Sequence, residues 1–184
     1  YLACPQLCAT AAGLDRFAAT VPTLNGSSLA PRAVLIIENR KFGHSFELSV
    51  EGLAVVYGLG YAATTLADLR WIAAARTVLY WGDLDRAGLA ILALLRRSGV
   101  PAHAILMDAP TWDRYPDQQH RSPRDQGISD SEVPDGLEHP EHALYERLNQ
   151  HHRDCGEDQQ LEQEHIPRRE ALAAITSALQ ASEQ

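Results

Sequence analysis

Thr77-Val-Leu-Tyr-Trp81-Gly-Asp83-Leu-Asp85-Arg-Ala-Gly88 is the stretch on which the fold turns. Its first five residues are β-favouring and almost wholly apolar and stop at a glycine, the pattern of a strand buried on both faces. Residues 86–97 then place Leu, Ile and Ala at helical spacing, and Gly99 ends that run. A doubly buried strand that feeds a helix is half a unit of a parallel α/β sheet. Working outward, residues 33–37 and 53–57 are apolar runs of the same kind before it, and residues 102–107 are a fourth after it. Residues 65–75 carry Leu66, Leu69 and Ile72 at helical spacing, with Thr64 or Thr65 as the candidate N-cap. The expected fold is therefore α/β, a roughly four-stranded, mainly parallel sheet flanked by helices. Residues 141–151, 159–165 and 168–181 add an expected helical C-terminal extension.

At 184 residues the chain suits one domain. The expected division is residues 1–30, a helix end and linker left from a larger protein, and residues 31–184, the domain itself. Tyr1 opens in mid-element, Leu14, Phe17 and Ala18 share one face, and residues 20–31 are rich in Pro, Gly and Ser. Residues 108–140 form a long polar stretch with five prolines, of the sort that is functional or unstructured. No apolar run approaches the roughly 20 residues of a membrane helix. With no secretory leader and an odd count of three cysteines, a cytoplasmic protein is expected, without membrane or disulfides. Cys4, Cys8, Cys155 and six histidines between His120 and His165 show no second ligand pair that would close a zinc site.

The net charge of -8 argues at first sight against a nucleic-acid partner. Its distribution removes that objection. Residues 1–110 hold nine basic and eight acidic side chains, and residues 111–184 hold seven and sixteen, so the excess acidity lies in the later part.

Ligands of parallel α/β sheets bind beyond the carboxyl ends of the strands. Glu38, Asp83, Asp85 and Asp108 all follow apolar runs there. Any one of them can serve merely as a helix cap. Asp83 and Asp85, two residues apart between Gly82 and Gly88, can instead converge on one hard cation such as Mg2+. Glu38 can add a third carboxylate or act as general acid or base. Two other readings compete. Gly58-Leu-Gly60-Tyr-Ala-Ala63 matches a dinucleotide-binding glycine loop, with Asp83 as the ribose acid. A D-x-D phosphatase is the second, although Ala87 stands where such sites carry Thr.

Ile37-Glu38-Asn39, Tyr80-Trp-Gly-Asp-Leu-Asp-Arg-Ala-Gly88, the strand end at Met107-Asp108 and Leu161-Glu-Gln-Glu-His-Ile-Pro167 together resemble a known family. The Glu and D-x-D pair resembles a Toprim domain. The longer set is similar to the C-terminal domain of the JetD family, nuclease subunits of Wadjet plasmid defence related to the topoisomerase VI A subunit. The resemblance covers residues 30–170 and implies a Toprim-type fold that hydrolyses double-stranded DNA with Mg2+, Mn2+ substituting. It implies Glu38, Asp83 and Asp85 as catalytic metal ligands and a further acid, Glu51 preferred over Glu47, with Asp108 and Glu164 also open. Arg40 and Lys41 are the expected DNA contacts, and His44 is expected to be structural. A homodimer and the other Wadjet subunits, an SMC-like complex, are the implied partners. The remaining alternative is a non-catalytic module that binds a dinucleotide or dimerises through the glycine loop.

Overall fold

The computed structural model describes residues 2–39, 49–57, 60–122 and 132–181. Two short helices, α1 (Pro5–Thr10) and α2 (Val21–Asn25), precede β1 (Ala33–Ile37) and β2 (Leu53–Tyr57). A 3-10 helix (Gly60–Asp68) runs into α3 (Arg70–Ala74), followed by β3 (Thr77–Trp81), α4 (Arg86–Arg97) and β4 (Ala102–Ala104). Beyond the sheet come α5 (Ala109–Arg114), a 3-10 turn (Pro116–Gln118) and β5 (His120–Arg121). The chain closes with α6 (His139–Cys155), β6 (Gln159–Gln160), a 3-10 turn (Gln163–His165) and α7 (Arg168–Ala181).

The main sheet is parallel throughout, in the order β2-β1-β3-β4. Ala33 stands level with Leu53 and Thr77, and Ile37 with Tyr57 and Trp81, so the first three strands end together. Every residue of β1 and β3 is buried. That is why both strands read as unbroken apolar runs: each must be covered on two faces. β5 and β6 form a separate antiparallel ribbon.

The three strands 33–37, 53–57 and 77–81 and the helix 86–97 stand where their patterns place them. Four expectations are corrected. The fourth strand stops at Ala104 rather than 107, where Leu106 takes a left-handed backbone, φ 56°, that no strand can hold. Residues 65–75 are not one helix: the 3-10 helix begins at Gly60, and α3 has no side-chain cap. Residues 159–165 are a strand and a tight turn instead of a helix, because they pair with chain from elsewhere. Of residues 2–20 only α1 is helical, with Leu14 and Phe17 exposed.

The first residues also share the domain's core. The Ala3 amide donates to the Leu53 carbonyl at 2.9 Å, Leu2 bridges Ala54 in antiparallel fashion, and Leu2, Cys4 and Leu7 are buried. Thus residues 2–7 cover part of the outer edge of β2. At the opposite side, Arg96 joins α4 to α6. Its Nη1 and Nη2 donate to the two Glu141 oxygens at 3.0 Å each, and its Nε donates to the Ala102 carbonyl at 2.7 Å. Glu141 also closes a capping box with Glu138, so one carboxylate both starts α6 and fastens it. Among the described residues no helix is long and apolar enough to cross a membrane.

Candidate metal centre

From β1 the chain passes to β2 on one side, and from β3 it passes to β4 on the other. Neighbouring strands whose connections diverge leave a crevice at their carboxyl ends, the usual ligand site of such sheets. Glu38 follows β1, and Asp83 and Asp85 follow β3, so this crevice is acidic.

Glu38 continues the ladder, its amide donating to the Trp81 carbonyl at 3.1 Å. Its Oε2 accepts from the Tyr80 hydroxyl at 3.2 Å and from the Asp83 amide at 3.4 Å. Two glycines leave room for this carboxylate. A Cβ on Gly82 would stand 2.7 Å from the Tyr80 hydroxyl oxygen and 2.8 Å from Glu38 Oε2. One on Gly88 would overlap the Asp83 carbonyl oxygen. Burial, and then the charges of Asp83 and Asp85, push the Glu38 carboxyl up to about 8. Burial followed by the Glu38 charge holds the Tyr80 phenol well above its ordinary range, so Tyr80 remains a donor.

Asp83 is gripped from the far end of the chain. The Gln163 amide donates to Asp83 Oδ1 at 2.9 Å, and Gln160 Nε2 donates to Oδ2 at 3.2 Å. Burial raises the Asp83 carboxyl above the usual carboxylate range, the Gln163 and Gln160 bonds oppose that rise, and Glu162 and Glu164 add to it. The segment is held there by a two-bond bridge, Leu84 amide to Leu161 carbonyl at 2.9 Å and the reverse at 3.1 Å. Asp85 is buried and accepts from the Gly88 amide at 2.7 Å through Oδ1, capping α4.

The Glu38 carboxylate therefore lies against the Asp83 amide across the crevice, while the Asp85 carboxylate caps α4. Among the described residues no three His, Cys, Asp or Glu side chains come together as a group that could hold an ion. The donor chemistry nonetheless suits a hard cation. All three groups offer oxygen, and the two aspartates raise the pKa of Glu38, a repulsion that a positive charge would relieve. Mg2+ commonly takes one or two carboxylates and fills its remaining positions with water and phosphate.

The other expected site residues divide clearly. Glu51 is exposed in the turn before β2, two residues ahead of the Ala33–Leu53 pair. It lies at the amino end of the sheet, with the whole of β2, roughly 17 Å of strand, between it and the level of Glu38. The structure does not bring Glu51 together with Glu38, Asp83 and Asp85. Arg40, Lys41, His44 and Glu47 lie outside the described residues, as do Gly58 and Leu59 of the glycine loop. Asp108 caps α5, accepting from the Thr111 amide at 2.9 Å. Glu164 is exposed and accepts from Asn39 Nδ2 at 3.0 Å. Tyr80 and Trp81 pack in the core as expected, but the contact of Tyr80 with Glu38 was not anticipated. Gln160 and Gln163 were also missed, although Gln163 lies within the segment Leu161 to Pro167 that carried the resemblance.

The dinucleotide reading loses its geometry. The fingerprint needs its acid on the strand beside the glycine-loop strand, yet β1 separates β2 from β3. Asp83 is moreover engaged by Gln160 and Gln163.

Fold and site together define a parallel α/β domain with an acidic centre at the switch point of its sheet. Residues 2–175 match the family model described as Wadjet protein JetD, C-terminal, and the chain belongs to that family. This makes it part of a Wadjet defence protein, with other subunits of that multi-subunit system as its partners. No curated protein shows significant similarity to it.

Proposed function

We propose that this domain is a Toprim-type, divalent-metal-dependent endonuclease that hydrolyses double-stranded DNA in plasmid defence. The observation that carries the reading is Glu38, a carboxylate at the switch point whose strongest neighbours include two more carboxylates. Glu38, Asp83 and Asp85 would hold Mg2+, with Mn2+ as a substitute. Such an ion supplies charge neutralisation at the scissile phosphate and acidifies an attacking water. Tyr80 keeps Glu38 oriented, and the Gln163 amide does the same for Asp83. Gly82 and Gly88 keep the floor of the crevice free of side chains. Arg40 and Lys41, two and three residues after Glu38, are the proposed phosphate contacts, and a homodimer is the proposed assembly.

Plasmid nicking with Mg2+ or Mn2+ tests the assignment. Asp83→Ala and Glu38→Ala are each expected to lower the rate by about 100-fold or more, the scale of losing an electrostatic catalytic group. Equal nicking by both variants and the wild type would refute it.

A further inference from the structure

Gln163 has no exposed surface, yet both ends of its side-chain amide are bonded. Its Nε2 donates to the Trp81 carbonyl at 2.7 Å, and its Oε1 accepts from the Asn39 amide at 2.9 Å. The Trp81 carbonyl also accepts from the Glu38 amide. One side chain thus closes a ring through the peptide between Glu38 and Asn39 and the last residue of β3. The backbone amide of the same residue holds Asp83 Oδ1. We propose that Gln163 is the positioning residue of the acidic centre, fixing where Glu38 and Asp83 stand relative to each other without itself touching the ion. This rests on the metal-centre reading above.

The chemistry selects glutamine. The site asks one side chain for a donor and an acceptor at the same reach, and a neutral primary amide supplies both. An ionised glutamate has no donor for the Trp81 carbonyl, asparagine is one methylene short, and methionine fills the space but bonds to neither strand. Outer groups that orient ligands commonly change metal affinity by about 10–100-fold when replaced.

The test compares Mn2+ binding, read from the electron-spin signal of free Mn2+, in the wild type, Gln163→Met, Gln163→Asn and Ile175→Ala. Ile175 is a buried residue of α7 and serves as a control for simple destabilisation. In the cold, where all are folded, both Gln163 variants are expected to bind Mn2+ about 10-fold or more weakly. Their far-UV dichroism should match the wild type, and the Asn39 amide should exchange faster with solvent. Ile175→Ala should retain wild-type affinity. Wild-type affinity and Asn39 protection in Gln163→Met would overturn the proposal, as would an equal loss in Ile175→Ala. If the wild type itself binds no Mn2+, the metal-centre reading fails. Exchange then decides on Gln163, and unchanged Asn39 protection in its variants overturns the positioning role.

Discussion

At the scale of single residues, Glu38 sets the behaviour of the centre. In the unfolded chain its carboxyl titrates near 4.5, and in the folded chain near 8. Between those values the folded state binds the extra proton. The stability contributed by the protonated group is therefore complete below 4.5, declines as pH rises and is gone above 8. Ion-free protein should accordingly unfold at lower urea concentration near pH 8 than near pH 5, and Glu38→Gln should flatten that slope. The swing is on the order of a few kcal/mol. Binding of Mn2+ at neutral pH should expel about one proton, measurable from heats in buffers of different ionisation enthalpy. Gly88→Ala makes a separate point. The added methyl group meets backbone rather than a movable side chain, so a loss of about 1–3 kcal/mol in urea unfolding is expected.

At the scale of elements, two buried or half-buried ion pairs lock α4 to the later chain. Arg86 is buried at the start of α4, with Nε donating to Asp158 Oδ1 at 2.7 Å and Nη1 to Asn149 Oδ1 at 2.9 Å. Arg86→Met strips the buried Asp158 carboxylate of its guanidinium and leaves only His152 Nδ1, at 3.2 Å, beside it, which should cost about 3 kcal/mol, read as a lowered thermal midpoint. Replacing Asp158 as well, with leucine, should recover much of that loss. These pairs also mark where the sequence stopped being legible. β1, β2, β3 and α4 were readable because burial on two faces, or on one helical face, leaves a periodic trace in the residues themselves. Glu38, Asp83 and Asp85 were readable because a parallel sheet presents whatever follows its strands at one rim. The placement of Glu51 was not legible, because a residue just before a strand is close in sequence yet stands at the opposite rim. The segment 159–165 read as a helix because its structure is imposed by Leu84, Asp83 and His120, partners far from it in sequence. No local period records such partners.

At the scale of the whole molecule, charge is divided rather than mixed. The acidic excess lies beyond residue 110, so in the proposed reaction exposed carboxylates of that part would oppose the approach of DNA. Glu146 and Asp154 are exposed on α6. Neutralising both, as Glu146→Gln with Asp154→Asn, should raise the association rate with duplex DNA by about two-fold or more at low salt. The gain should fade at high salt, where the ions screen such distances. Stopped-flow binding at two ionic strengths measures this.

The grip on Asp83 also has a history in time. Its two glutamine partners lie 77 and 80 residues further along the chain, and the partner of the Asn39 amide lies 124 residues further. A ribosome that has just released Asp85 therefore needs roughly 4–16 s, at about 5–20 residues per second, before Gln163 is even made. During that interval the growing polypeptide carries all three carboxylates without the amides that orient them. An activity that depends on these amides would be impaired in any chain that stops short of Gln163. For a protein proposed to cut DNA, that order of assembly is a safeguard written into the fold.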